Sequence, residues 1–287
     1  MPFEIRKISN YGTGHPVVAR LAMQTSELIQ WSDLNEADRG QVLELYFHVL
    51  KPRLLKCHEA YDRLCAARDE ALKVLELPPQ KDSRVRDVPH VIGLREEAEA
   101  FLYEAKNYLR DSLRVLSIFF GEEFPEKLVA ASSYYDAKAG KKSALVDWSE
   151  KKFGPDDPFT KQFVGEQPWA EGIIRNRNAA EHPGGNSGTL FVHNIEVSDA
   201  GLIPPTWQRD DGPRTDLFKD IDVSLENLLT LAEDTLIGCI VHRSSFKEIQ
   251  FVEIPVEQRN AQAPQRITVQ LSEKLRAQFP IPQRASK

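Results

Sequence analysis

The stretch LREEAEAFLYEAKNYLRDSLRVLSIFF, residues 94–120, decides the fold class. Leu94, Ala98, Phe101, Leu102, Ala105, Tyr108, Leu109, Leu113, Leu116 and Phe120 recur at spacings of three and four, the period of one helix face. Gly121 follows where a helix C-terminus favours glycine. An apolar face this wide needs at least two other helices packed against it.

Candidates for those partners lie on both sides. Upstream, a helical pattern starts near Asn35, a good N-cap, and carries Val42, Leu45 and Val49 on one face. Pro52 interrupts it, as a kink or as the first turn of a new helix. The stripe resumes with Leu54, Tyr61, Leu64, Cys65, Leu72 and Leu75, and Leu77-Pro78-Pro79 ends it. Residues 80–90 read as a loop, and residues 1–35 are mixed, with a turn at Tyr11–Pro16.

Downstream, helices are expected over Glu126–Tyr135 and Ser143–Phe153, then a firm break at Gly154–Pro158. Another helix is expected from Pro168-Trp169 to about His182, stopped by Pro183-Gly184-Gly185. Residues 189–197 read as a strand and Gly201–Pro213 as a loop. A long helix over 216–242 has Leu217, Ile221, Leu225, Leu228, Ala232, Leu236 and Cys239 as its core face. Residues 248–254 and 266–271 alternate as a hairpin or edge pair would. The reading is a mainly α helical bundle, with long antiparallel helices and small β additions in the C-terminal third. Its expected divisions are an N-terminal helical region, 1–90, packed on the same core, a bundle over 91–245 with a loop and strand insert at 184–213, and a C-terminal hairpin-like extension, 246–287.

Of the 287 residues, 41% are hydrophobic and 28% charged, the balance of a protein with a proper core. The formal charge of −6 argues against a protein that coats nucleic acid non-specifically, but it leaves room for a local phosphate site. Three cysteines, Cys57, Cys65 and Cys239, do not make a disulfide framework, and a reducing, cytoplasmic setting is expected. Met1–Lys7 lacks the apolar core of a signal peptide, and no run has the length of a membrane span.

One segment carries chemistry: Arg175-Asn176-Arg177-Asn178-Ala179-Ala180-Glu181-His182. On a regular helix Arg175, Asn178 and His182 share a face, and Arg177 lies on a more distant one, within reach by its length. Cutting RNA without a metal needs a proton-transfer group, a cation for the phosphorane and a group that orients them. Histidine suits the first role, with an ordinary pKa of roughly 6.5. Arginine suits the second, through a rigid fork of donors. An asparagine amide suits the third.

Arg177-Asn178-Ala179-Ala180-Glu181-His182 resembles the signature of the HEPN superfamily: an arginine, four to six residues and a histidine, with a polar residue, often asparagine, after the arginine. Arg177 with His182 gives the four-residue spacing, and Arg175 with Asn176 and the same His182 gives the six-residue spacing. Both remain open. The resemblance implies a helical bundle that dimerises through the motif helix, bringing two motifs across a cleft. It implies a metal-independent endoribonuclease with no cofactor, of toxin–antitoxin, phage-defence or RNA-processing type, leaving cyclic-phosphate or 3′-phosphate ends. A toxic role would call for an antitoxin or other inhibitor. Within that reading His182 is general acid or base, Arg177 or Arg175 binds the scissile phosphate, Asn178 positions one of them, and Glu181 tunes the histidine or pairs with an arginine. Other members are non-catalytic binding modules, the competing expectation. The insert at 184–213 and the first 90 residues lie outside what the resemblance explains.

Plainer readings stand beside these. His182 and the arginines suit the negative end of a helix dipole without any catalysis. Cys57, Cys65 and Cys239 sit on apolar faces with no Cys-x-x-Cys pair, so burial is expected rather than zinc. Trp169 and Trp207 have faces for stacking bases, though packing is the default for both.

Overall fold

The computed structural model describes residues 11–76, 88–135, 141–199 and 201–272. The expected stop at Leu77-Pro78-Pro79, most of the 80–90 loop and the end of the C-terminal extension lie outside them. The first helical run joins α1 (Pro16–Val18) to α2 (Thr25–Leu28) through a π-helical turn, Ala19–Gln24. Next, α3 (Glu36–Glu44) is capped by Asn35, whose side chain accepts from the Asp38 N–H at 2.9 Å. A second π turn, Leu45–Leu50, leads into α4 (Lys51–Leu72). Pro52 sits in the first turn of α4, so its missing N–H is accommodated by a register change rather than a break.

The 94–120 stripe forms α5 (Leu94–Ser112) and α6 (Arg114–Phe120), separated at Leu113. Packed on α5 is α4, with Arg53 of α4 bridging Glu104 and buried Asp111 of α5 at 3.0 and 2.7 Å. Residues 126–135 do not form the expected helix. They make two 3₁₀ turns, Glu126–Leu128 and Ala131–Tyr134, interrupted at Val129 and Ala130, where the backbone leaves helical conformation. Ser143 then caps α7 (Ala144–Phe153).

The motif helix is longer than its sequence suggested. α8 runs from Pro158 to Glu181, and Pro168 lies inside it. Proline cannot donate to the carbonyl four residues back. That residue, Val164, is at the surface, where water can satisfy the carbonyl. Asp157 starts the helix, accepting from the Phe159 N–H at 2.9 Å, and α9 (Leu217–His242) is started in the same way by Asp216. Gly238 of α9 lies against the Phe159 ring so closely that a Cβ there would overlap it. The broad apolar face of α5 is covered by α4, α8 and α9, and one apolar core extends from Val17 to Ile267.

The insert is more ordered than expected. The 189–197 run splits into β1 (Leu190–His193) and β2 (Glu196–Ser198). The expected loop contains β3 (Gly201–Ile203) and β4 (Thr206–Arg209), followed by β5 (Thr215–Asp216). β1 pairs with β4 and β2 with β3, both antiparallel, so the four strands form an interrupted ribbon. The interruption falls where Pro204-Pro205 face Asn194-Ile195, because proline cannot donate to the ladder. Asn194 turns aside to bind Val91, accepting from its N–H and donating to its carbonyl, both at 2.9 Å. β6 (Ile249–Glu253) and β7 (Ile267–Leu271) form the expected antiparallel hairpin.

A buried charge network fastens that hairpin to the helices. Arg20 Nε donates to Glu233 Oε2 at 2.8 Å, Gln24 Nε2 to Glu233 Oε1 at 2.6 Å and Arg266 Nε to Glu233 Oε2 at 2.9 Å. The Gln24 side-chain oxygen accepts from the backbone N–H groups of Arg266 and Ile267, each at 2.7 Å. Arg20 and Glu233 are only 2% and 1% exposed, so their charges need partners inside the protein, and Arg20 pairs with Glu226 as well, at 2.8 Å. Cys57 and Cys239 are buried, and no three-residue metal-binding group exists among the described residues. Among the described residues no helix is long and apolar enough to cross a membrane.

Candidate functional site

The C-terminal half of α8 is seated by Ala170, Ile173, Ile174 and Ala179, all buried. Its polar side chains are thereby fixed in direction. The helix ends at His182, whose backbone (φ −128°, ψ 69°) is no longer helical, and Pro183 follows. The turn beyond is tightly built. Gly185 N–H donates to the His182 carbonyl at 3.0 Å, and Asp210 accepts from the Thr189 N–H at 2.8 Å. Gly188 has φ +81°, and a side chain there would overlap the Asp210 carboxylate. The backbone after His182 is therefore anchored to the β ribbon.

The structure divides the motif residues into three settings. Glu181 stands between Arg177 and His182. Its carboxylate pairs with the Arg177 guanidinium, Arg177 Nη2 donating to Oε1 at 2.7 Å, while Oε2 lies 3.2 Å from His182 Nε2. The His182 side chain is 71% exposed, Glu181 41% and Arg177 16%. A guanidinium and an accessible imidazole thus share one carboxylate at the end of one helix.

Asn178 is held from α5, with Lys106 Nζ donating to its Oδ1 at 2.6 Å. The Asn178 carbonyl accepts from the His182 N–H at 2.9 Å, the last α-helical bond. Arg175 is elsewhere: it pairs with Glu171 at 2.6 Å and lies over the Tyr135 ring, 5.3 Å from its centroid. The shared face expected for Arg175, Asn178 and His182 does not become a shared contact. The arginine in the charge chain that reaches His182 is Arg177, although an ideal helical projection favours Arg175.

Two residues that the motif does not contain complete the setting. Tyr103 of α5 lies under Arg177, 5.7 Å from guanidinium to ring centroid, and is half exposed. Lys106 has no carboxylate partner among the described residues, and its pKa is lowered by burial first, then by the Arg177 and Arg110 charges. An ammonium held beside other cations is a local positive field, despite the −6 total. Tyr103, Lys106 and Arg110 follow one another at spacings of three and four on α5, and that polar stripe opposite the apolar one was the available signal.

Chemically the arrangement offers an accessible proton carrier, a forked donor and an uncompensated ammonium within one patch. These are the groups that bind a phosphodiester and move a proton at it. Comparison of the chain with family models, with curated proteins and with solved structures gives no match.

Proposed function

We propose that the protein is a metal-independent endoribonuclease of HEPN type, with its centre at Arg177, Glu181 and His182. The observation that carries the reading is the sharing of Glu181 by Arg177 and the exposed His182. Glu181 occupies the guanidinium in the absence of substrate. A phosphodiester arriving there replaces one anion by another, so Arg177 need not be stripped of a partner inside the protein. Lys106 adds charge on the same side and fixes Asn178. His182, released from the helix, exchanges a proton with the 2′-hydroxyl or the leaving 5′-oxygen. Arg175 is assigned to packing, through Glu171 and Tyr135. A second copy facing the motif helix would double the cations at the site. A toxin or defence role, with an inhibitor to restrain it, is the biological setting that the resemblance implies.

One observation favours the other class, a non-catalytic binding module: both arginines are already paired within the chain, Arg175 with Glu171 and Arg177 with Glu181. The readings separate on single-stranded RNA in excess chelator. Cleavage to cyclic-phosphate or 3′-phosphate ends, lost by His182→Ala, supports the enzyme. RNA retention without cleavage by either protein supports the module.

A further inference from the structure

A cavity of about 240 Å³ opens between α8 and α9, lined on the α8 side by Trp169, Gly172 and Asn176. Those residues are spaced three and four apart, so they form one stripe of the helix. Across from them stand Lys219 and Asn227 of α9, and Trp207 of β4 lines the cavity as well. The volume is below the range of about 300–1,000 Å³ typical of pockets for drug-sized ligands. It suits one flat ring system.

The walls are set before any ligand arrives. Trp207 is nearly buried, and its Nε1 donates to Asp220 Oδ2 at 2.7 Å. The Ser224 hydroxyl, also at the cavity, donates to the Asp220 carbonyl at 2.6 Å. The two asparagines differ from these committed groups. Among the described residues, neither the Asn176 nor the Asn227 side-chain amide hydrogen-bonds to the chain, and the Lys219 ammonium pairs with no carboxylate. Each amide presents an acceptor and two donors in one plane, the pattern that reads the edge of a base. The partly exposed Trp169 indole has a face on which a base of any kind stacks, and an ammonium at the rim suits a phosphate.

We propose that this cavity binds a single nucleobase, carried on a free nucleotide or unstacked from single-stranded RNA. The site uses neither Arg177 nor His182, so it stands apart from the cleavage reading.

The test uses the full chain in chelator, titrated with AMP, GMP, CMP and UMP and, separately, with a short oligoribonucleotide. Tryptophan fluorescence and calorimetry read the binding. Saturation by at least one mononucleotide identifies a free nucleotide as a sufficient source, and saturation by the oligonucleotide alone identifies RNA. Asn176→Ala with Asn227→Ala weakens binding by about tenfold or more, through loss of the polar contacts. Gly172→Leu is the second variant. A Cβ at Gly172 meets nothing within 4 Å, and leaving glycine favours the helix, so the leucine fills the cavity in a folded protein. Gly172→Leu abolishes binding. The proposal is overturned if no ligand saturates up to millimolar concentration, or if Gly172→Leu, with an undiminished melting temperature, binds unchanged.

Discussion

The Arg20–Glu233–Arg266 network and the Arg177–Glu181–His182 chain are built from similar side chains in opposite surroundings. In the first, Arg20 and Glu233 are 2% and 1% exposed, and the contacts join the N-terminal helical run, α9 and the last hairpin. In the second, both partners in the His182–Glu181 contact are exposed, and the chain lies at one helix end. Burial sets what each can do. A buried charge cannot give up its partner without a large desolvation cost, so the first network fixes structure. An exposed pair exchanges its partner for water or for an anion at little cost, so the second can serve a ligand.

Substitutions sharpen the contrast, beginning with the largest effect. Glu233→Ala removes the buried carboxylate that Arg20 and Arg266 share, leaving Arg20 with the more exposed Glu226 and Arg266 with Asp234. Breaking a buried pair in this way costs about 3–5 kcal/mol, a large share of the roughly 5–15 kcal/mol that keeps a domain folded. Thermal unfolding then shifts down by roughly 10 °C. An unchanged melting temperature would show that the network is not structural.

Glu166, in α8, extends the comparison to a buried acid with no cationic partner among the described residues. Gln162 Nε2 donates to its Oε1 at 2.7 Å, while Oε2 is buried with no hydrogen bond among the described residues. Burial chiefly, with the Asp234 charge added and the Gln162 bond opposing, pushes its pKa from 4.5 up to about 8. Between those values the folded state holds a proton that the unfolded state has released, so stability falls as pH rises. Glu166→Gln removes this dependence. Urea titrations at pH 5 and pH 8 read the difference, on the order of a few kcal/mol at about 1.4 kcal/mol per pH unit. Equal pH dependence in the two proteins would place the titration elsewhere.

The smallest effect on stability belongs to the chain at the end of α8. Glu181→Ala changes the unfolding free energy by no more than about 1 kcal/mol. A loss as large as that of Glu233→Ala would make Glu181 a structural residue and erase the distinction between the two networks.

Much of the bundle was legible because α5 and α9 repeat their apolar residues at helical spacing, and because Asn35 is a strong cap. Pro168 misled because proline suits a first helical turn. Pro158 occupies that place in α8, and the surface tolerates Pro168 ten residues later. The strands over 201–209 were hidden because Gly201 and Pro204-Pro205 read as loop, although the prolines only interrupt a ribbon. At the site, the helical projection pointed to Arg175 because it treats His182 as part of a regular helix. His182 has left that helix, and Glu181 carries the connection back to Arg177. Lys106 escaped notice because only packing brings α5 beside α8.

The proposed cleavage centres on Arg177 and His182, and its most direct test is the rate of RNA cleavage in excess chelator by four proteins: the parent, His182→Ala, Arg177→Ala and Arg175→Ala. Each is first shown to be folded by its melting temperature. The expected result is a loss of about 10²–10⁴-fold for His182→Ala, a loss of about 10²-fold or more for Arg177→Ala, and a change within about tenfold for Arg175→Ala. Full activity of His182→Ala, or a greater loss for Arg175→Ala than for Arg177→Ala, would contradict it.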